Sequence, residues 1–248
     1  MRESLLMTIA RIVARPIFWL IFLPRVRGRE DLANFKNKPA IVAGNHIDSL
    51  DAATMGVLVP RNLHFLAKDE LRRGKMGWLL KHLGLIFVDR DLDNDSIPKA
   101  NKYLKNNMSI GIFPEGTCRK DFKKPNELLP FKYGAIKMAA ETGAPIIPMA
   151  ISGKYFLFSR LKVYFGEPIF VKKTDNLDKA NEILRDAIAD LLRKNKINVV
   201  KISGRPAKNP AKNRPIIDNA KTSNELIYIS KNVENSVKSS NNKRRENV

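Results

Sequence analysis

Short apolar runs alternate with stretches of helical periodicity along most of this chain. Six runs have the length and the bounding turn residues of buried strands, and they cover 40–43, 63–67, 85–88, 109–113, 145–151 and 161–165. Apolar positions at helical spacing predict helices over 51–59, 76–82, 97–105, 133–142 and 178–194. This alternation predicts an α/β fold with a mixed central sheet that is flanked by helices.

The first 28 residues differ from the rest because they are both apolar and rich in arginine. The charge-free run over 16–24 is shorter than the roughly 20 apolar residues that span a bilayer. Pro16 is expected to interrupt any single long helix in this region. Arginine beside tryptophan and phenylalanine suits interfacial helices, so we predict a membrane-associating helical segment over 1–28. A helix packed on a soluble domain is the alternative.

The net charge of +20 is partly concentrated at the carboxyl terminus. Residues 201–248 hold 11 Lys and Arg against 4 Asp and Glu, which predicts a disordered basic tail after one folded domain over 29–200. Such a tail either is solvated without a partner or contacts anionic lipid headgroups. Neither a zinc finger nor an RNA-binding signature occurs in the sequence, so we expect no nucleic-acid partner.

Cysteine and histidine usage narrows the chemistry further. Cys118 is the only cysteine, which excludes a disulfide framework and favours a cytoplasmic setting. The three histidines, His46, His64 and His82, stand 18 residues apart and lack the spacing of metal ligands. We therefore expect no metal site.

His46 and Asp51 form a candidate catalytic pair. Histidine, with an ordinary pKa of about 6.5, can take a proton from an alcohol, and a carboxylate on its other nitrogen stabilises the imidazolium. Residues five apart do not face each other on one helix, so His46 must precede the helix that Asp51 begins. Asp48 or Ser49 is the expected N-cap. A surface histidine beside a helix cap is the alternative.

A second polar segment follows the predicted strand over 109–113. Glu115, Gly116 and Thr117 would lie at its carboxyl end, where open α/β sheets place ligands. Gly116 permits close approach of backbone to a substrate, and Arg119 is suited to binding phosphate or carboxylate. An ordinary turn with a solvated Glu and Arg is the alternative. Thr117 stands where a nucleotide-binding P-loop needs lysine, which excludes that motif.

Four sequence blocks resemble those of the glycerolipid acyltransferases, and they occur in the same order. The blocks are Asn45-His46-x4-Asp51, Gly84-Leu85-Ile86-Phe87-Val88-Asp89-Arg90, Phe113-Pro114-Glu115-Gly116-Thr117 and Ile147-Pro148-Met149-Ala150. The similarity covers roughly residues 25–170 and is greatest to bacterial 1-acyl-sn-glycerol-3-phosphate acyltransferases of the PlsC type. Cys118 stands where the family has arginine, and whether Arg119 replaces that arginine stays open.

The resemblance implies transfer of a fatty acyl group to the free hydroxyl of lysophosphatidic acid, giving phosphatidic acid. Acyl-CoA or acyl-carrier protein would be the donor, His46 the base and Asp51 its partner, and no cofactor would be needed. The implied location is the cytoplasmic face of the membrane, as a peripheral or monotopic enzyme. Acylation of glycerol-3-phosphate or another lysolipid, and binding of lipid or nucleic acid without catalysis, are the alternatives.

The resemblance also implies a set of substrate-binding residues. They are Asn45, Lys68, Arg90, Glu115, Gly116, Thr117 and Arg119. Arg90, together with Lys68 and Arg119, would bind the acceptor phosphate. Glu115 would bind the glycerol backbone, and N–H groups near Gly116 would stabilise the oxyanion.

Overall fold

The predicted strands assemble into one mixed sheet. The computed structural model describes residues 5–28, 32, 35–74, 77–88, 96–118 and 128–203. The strands within these ranges are β1 (Arg25–Arg27), β2 (Ile41–Gly44), β3 (Leu63–Lys68), β4 (Leu85–Val88), β5 (Ser109–Ile112), β6 (Ile146–Ser152) and β7 (Lys162–Phe165). Their order is β1-β7-β6-β2-β5-β3-β4, and every neighbouring pair is parallel except β6 with β7. The predicted fold class is confirmed.

Helices follow most of the strands, as the alternating pattern predicts. The described helices are α1 (Leu5–Phe22), α2 (Asp51–Leu58), α3 (Glu70–Arg73), α4 (Gly77–His82), α5 (Ser96–Lys105), α6 (Gly134–Thr142) and α7 (Leu177–Ser203). The predicted helix start at Met76 lies outside the described residues.

Apolar cores lie on both faces of the sheet because side chains alternate along each strand. On one face Ile41 and Ala43 of β2 join the buried residues of α5, α6 and α7. On the other face Val42, between them in sequence, joins residues of α1 and α2. The apolar stripe of α7 covers the first face through Leu184, Ile188, Leu191 and Leu192, as predicted. Full burial of one such side chain contributes about 1.5–3 kcal/mol.

The strand order brings the two polar sequence segments to one edge of the sheet. β2 lies between β5 and β6, and it is parallel to both. The loops that leave the carboxyl ends of these three strands are therefore neighbours, although long stretches of sequence separate them. β3 and β4 are parallel to β5 and end at the same edge.

Two short elements were not predicted. β1 is three residues of mostly exposed side chains, and it is defined by its parallel pairing with β7, with Arg25 opposite Lys162. α3 is four residues long and buries none of its side chains. Neither element carries an apolar pattern, so the sequence alone offered no signal for them.

The predicted break at Pro16 is wrong, because α1 is one helix of 18 residues that contains this proline. A proline inside a helix costs about 3 kcal/mol, so other contacts must offset that cost. Met7 and Phe18 are buried against the domain, Arg11 donates to the carbonyl oxygen of Val59 at 3.1 Å, and the Thr8 hydroxyl accepts from Asn62 at 2.8 Å. Packing of α1 on the domain therefore holds the helix together on both sides of the proline.

The structure adds detail to the expected segments, whose bounds stay predictions. The segment over 1–28 contains β1 in addition to α1, so it contributes a strand to the sheet. α7 continues past residue 200 to Ser203. The rest of the predicted tail, 204–248, lies outside the described residues.

Candidate active site

His46 and Asp51 meet at the carboxyl edge of the sheet. His46 lies in the loop after β2 and Asp51 is the first residue of α2, which is the arrangement that their spacing requires. His46 Nδ1 is 3.0 Å from Asp51 Oδ2. The imidazole is 20% exposed, whereas the carboxylate is fully buried. The other ring nitrogen, Nε2, is therefore the one left to face a substrate.

Asp51 is held as an ionised acceptor by the backbone of its own turn. Its Oδ2 accepts the N–H of Ile47 at 2.6 Å and the N–H of Asp48 at 2.8 Å, in addition to His46. Because an ionised oxygen can only accept, the bond to His46 requires the proton on Nδ1. Nε2 then carries a lone pair, as a general base needs. The position of Asp51 in the first turn of α2 also favours its negative charge.

The expected N-cap is corrected by this turn. α2 begins after Leu50, which has a helical conformation and no side-chain cap bond. The Asp48 carboxylate instead accepts the N–H of Leu50 at 2.9 Å, within the loop. The carboxylates of Asp48 and Asp51 therefore both accept backbone N–H groups within the loop. The carboxylate of Asp51 also bonds His46.

Tyr155 completes the surroundings of Asp51. Its hydroxyl donates to Asp51 Oδ1 at 2.7 Å and lies 2.9 Å from the Thr54 hydroxyl, which is fully buried. Since the single Tyr155 proton goes to Asp51, Thr54 donates to the Tyr155 oxygen. Burial and then the negative charge of Asp51 raise the pKa of Tyr155, so it remains a donor. Sequence reasoning missed Tyr155, which is 104 residues from Asp51.

An aromatic stack fixes the plane of the imidazole. The His46 ring lies on the Phe113 ring, with 4.2 Å between centroids and 15° between planes. Phe113 in turn stacks beside Phe65 at 6.3 Å and 14°. A Cβ at Gly111 would lie 2.2 Å from the Phe65 ring, so only glycine leaves room for it. Gly111 therefore makes space for the aromatic stack that supports His46.

The side chains of Asn45 and Glu115 bond backbone groups, and their contacts with a substrate stay predictions. Asn45 is fully buried, donates to the carbonyl oxygen of Ile151 at 2.9 Å and accepts the N–H of Ile151 at 2.8 Å. Buried Glu115 accepts the N–H of His46 and the N–H of Leu129, both at 3.0 Å. Both side chains therefore tie the loop of the histidine to neighbouring parts of the fold.

The structure describes three of the other predicted binding residues, Lys68, Gly116 and Thr117. Lys68 is exposed at the carboxyl end of β3, and Thr117 is exposed in the loop after β5. Gly116 has a φ of +70°, which favours glycine, and its N–H donates to the carbonyl oxygen of Phe113 at 3.0 Å. That N–H is therefore engaged in the turn and is not an oxyanion donor. Arg90 and Arg119 lie outside the described residues, so their roles stay predictions.

The histidines and acidic side chains do not gather into a metal site within the described ranges. In the part of the chain that the structure describes, no group of three or more His, Cys, Asp or Glu side chains could hold an ion. The two other histidines bond elsewhere, His64 Nδ1 to the carbonyl oxygen of Gly84 at 3.0 Å and His82 Nδ1 to that of Trp78 at 2.8 Å.

Replacing Tyr155 by phenylalanine is expected to lower kcat roughly 10-fold, since a hydrogen bond to a charged group contributes about 1.5–3 kcal/mol and only part of that acts on the histidine. KM for each substrate should change little, because Tyr155 acts through Asp51. Steady-state kinetics of Tyr155→Phe beside Tyr103→Phe, a half-buried tyrosine that packs on His64, measures this difference. Wild-type kcat in Tyr155→Phe would remove Tyr155 from the positioning role.

A buried carboxylate behind a histidine, at the carboxyl edge of a mixed α/β sheet, is an arrangement that can activate a hydroxyl or water by general base catalysis. Comparison with known proteins identifies the family. Residues 24–152 match the family model described as Acyltransferase, which is about half of the chain. The chain belongs to the acyltransferase family, as the four sequence blocks indicated.

Individual relatives agree with this assignment. A 1-acyl-sn-glycerol-3-phosphate acyltransferase of Saccharomyces cerevisiae is 33% identical over 188 residues, covering 68% of this chain and 59% of the yeast protein. A protein of the same name from Bacillus subtilis is 33% identical over 156 residues, covering 58% and 75%. The chain thus spans somewhat more than half the length of the yeast relative.

The fold is also that of a solved structure. The crystal structure of the 1-acyl-sn-glycerophosphate (LPA) acyltransferase PlsC from Thermotoga maritima superposes with a TM-score of 0.60 at 24% identity. The superposition covers 82% of this chain and 81% of that protein, so the architecture is shared over nearly the whole domain.

Proposed function

We propose that this protein is a 1-acylglycerol-3-phosphate O-acyltransferase that converts lysophosphatidic acid into phosphatidic acid. The observation that carries the proposal is the bonded pair of His46 and buried Asp51 at the carboxyl edge of the sheet. The names of the yeast and Bacillus relatives support the choice of acceptor. The acyl donor is a thioester, acyl-CoA or acyl-carrier protein, and the reaction uses no further cofactor.

The reaction begins with loss of a proton from the acceptor. His46 Nε2 takes the proton of the free hydroxyl as its oxygen attacks the thioester carbonyl. Asp51 holds the imidazole through Nδ1 and stabilises the positive charge that forms on it. Because a thioester is already reactive, the acyl group passes directly to the acceptor without a covalent enzyme intermediate.

The tetrahedral intermediate then collapses with cleavage of the carbon–sulfur bond. The proton on His46 is available to the departing thiolate, which restores the neutral base. N–H groups of the loop after β5 other than that of Gly116 are candidates to stabilise the oxyanion, a contribution of about 3–4 kcal/mol per donor in other enzymes. Glu115 positions the His46 backbone at this loop, since it accepts the His46 N–H at 3.0 Å.

The acceptor carries a fatty chain, so we place the enzyme at a membrane surface, on the cytoplasmic face. α1 supports this placement. Among the described helices it is the one whose length and composition alone would allow it to cross a membrane. Its exposed apolar side chains follow helical spacing and are Leu5, Ile9, Ile12, Val13, Ile17 and Leu20. The contacts of its other face with the domain favour a helix that lies in the interface.

The direct test is an assay of purified protein with acyl donor and lysophosphatidic acid, with phosphatidic acid detected by mass spectrometry. Parallel reactions with glycerol-3-phosphate and with lysophosphatidylcholine test the other acceptors, and acyl-CoA is compared with acyl-carrier protein as donor. The proposal fails if lysophosphatidic acid is not acylated, or if another acceptor reacts with a higher kcat/KM.

Loss of a basic side chain that is predicted to bind the acceptor phosphate is expected to affect the two substrates differently. Lys68→Ala and Arg90→Ala should each raise KM for lysophosphatidic acid, by about 10-fold for a lost charge-assisted contact of about 1.5 kcal/mol, and should change KM for the donor little. Lys105→Ala is the control, because Lys105 ends α5 just before the opposite, amino-terminal end of β5. Equal changes for both substrates would assign Lys68 and Arg90 a structural role instead.

A further inference from the structure

The loop between β6 and β7 exposes three consecutive large apolar side chains beside the active site. Phe156, Leu157 and Phe158 are 58%, 60% and 55% exposed, although each would be stabilised by leaving water. Tyr155, the residue directly before them, is the one whose hydroxyl reaches Asp51. The loop follows the carboxyl end of β6, which is the edge of the sheet that carries His46.

The backbone of this loop is held in an unfavourable conformation. Phe158 and Arg160 have φ values of +58° and +55°, in the left-handed region that costs an ordinary residue roughly 1–2 kcal/mol. Hydrogen bonds keep the conformation, since the Phe158 N–H donates to Ile21 at 2.6 Å and the Ser159 N–H donates to Phe156 at 3.1 Å. The backbone of this loop is strained, and yet its apolar side chains stay in water. Retained backbone strain of this kind is typical of functional loops, which suggests that this loop binds something.

The loop and α1 form one surface. The bond from Phe158 ends on the carbonyl oxygen of Ile21, in the last turn of α1, and the Leu161 N–H donates to Phe22 at 3.3 Å. The Phe22 ring also lies edge-on to Tyr155, at 5.5 Å between centroids. The last turn of α1, which also carries the exposed side chain of Leu20, therefore contacts this loop directly.

The basic side chains around this surface indicate which kind of partner fits it. The loop over 153–162 contains Lys154, Arg160 and Lys162 and no acidic residue, and Arg25 follows α1. Lys154, Arg160 and Arg25 are exposed. Exposed apolar side chains that are flanked by cations match a bilayer with anionic headgroups, whose phosphates pair with the cations while the acyl region accepts the aromatic rings.

We propose that Phe156, Leu157 and Phe158 insert into the lipid surface as a second membrane contact beside α1. Tyr155 then connects this contact with Asp51, so the loop that enters the lipid also carries the hydroxyl that positions the catalytic pair. The inference rests on the proposed function in one respect, namely that the substrate of the enzyme is a lipid. Insertion itself is a binding event that can be measured without acyl donor or acceptor.

The test is cosedimentation with vesicles of phosphatidylcholine mixed with phosphatidylglycerol, at low and at high salt. The triple variant Phe156→Ser, Leu157→Ser, Phe158→Asn should bind roughly 10- to 100-fold more weakly at both salt concentrations, since partial burial of three apolar side chains is lost. Asparagine at 158 tolerates the positive φ. Phe170→Ser is the matched control and should bind like wild type, because this exposed phenylalanine follows Ile169, which pairs with the amino end of β6 at the opposite edge.

The cations are tested separately. Lys154→Ala with Arg160→Ala should weaken binding at low salt only, because headgroup attraction is screened within about 10 Å at 0.1 M salt. In addition, Phe156→Trp should gain fluorescence quenching by phospholipids with brominated acyl chains, relative to the wild-type protein. This second measurement does not depend on the folding of the triple variant.

Three outcomes would overturn the proposal. The first is wild-type vesicle binding by the folded triple variant at both salt concentrations. The second is no gain of quenching in Phe156→Trp. The third is a wild-type protein that elutes as a dimer while the triple variant elutes as a monomer with unchanged vesicle binding, which would make the surface an interface between two copies. None depends on whether lysophosphatidic acid is acylated.

Discussion

Replacing His46 by alanine is expected to lower kcat/KM for acyl transfer by about 10²–10⁴-fold, the range for loss of general base catalysis. The fold should survive, because the imidazole is partly exposed and because the His46 N–H that bonds Glu115 belongs to the backbone. Asp51 also keeps its bonds to the N–H groups of Ile47 and Asp48 and to Tyr155. Steady-state kinetics and thermal unfolding measure the two properties.

The matched control for this variant is His82→Ala. His82 lies at the end of α4, where its ring packs on Trp78 with 4.5 Å between centroids. Its Nδ1 bonds the Trp78 carbonyl oxygen and not His46 or Asp51. His82→Ala should therefore keep wild-type turnover. A folded His46→Ala protein with turnover close to wild type would disprove the assignment of His46 as the base.

Replacing Asp51 by asparagine is the second change with a large expected effect. The amide can direct its oxygen toward His46, Ile47 and Asp48 and its NH2 group toward the Tyr155 oxygen, so the geometry can persist. The negative charge that stabilises the imidazolium is lost, and we expect kcat to fall by about 10²–10⁴-fold. Thermal stability should remain near that of the wild type.

Asp51→Ala separates the charge from the structure. This variant removes the acceptor of two backbone N–H groups that lie in or near the interior, and each unsatisfied buried donor costs about 1–3 kcal/mol. We therefore expect Asp51→Ala to be inactive and also less stable, whereas Asp51→Asn is inactive and stable. Near-wild-type kcat in Asp51→Asn would show that the carboxylate charge does not contribute to catalysis.

Much of the fold was predictable because its strands are short apolar runs with clear ends. The strand over 85–88 was predicted with the bounds that β4 has, and the other five predicted strands differ from the observed ones by one residue at one or both ends. The pairing of His46 with Asp51 was also predictable, since the spacing of five residues allows contact only at the start of a helix. These features depend on residues that are near each other in sequence.

Other features depend on which distant segments become neighbours. Asn45 bonds Ile151 because β2 pairs with β6, in a register that places Gly44 opposite Met149. Glu115 bonds the His46 N–H because β5 is the other neighbour of β2. The family resemblance implied that Asn45 and Glu115 contact a substrate, and only the assembled sheet showed that both side chains bond backbone groups.

The sequence by itself determined six of the seven described strands, most of the flanking helices, the family and the candidate catalytic pair, because local periodicity and spacing encode them. Tertiary structure decided that α1 continues through Pro16, that Tyr155 supports Asp51 and that Phe113 supports His46. Each of these depends on packing between segments far apart in the chain. Packing energy can offset a local cost such as that of proline, and no local pattern records where that packing occurs.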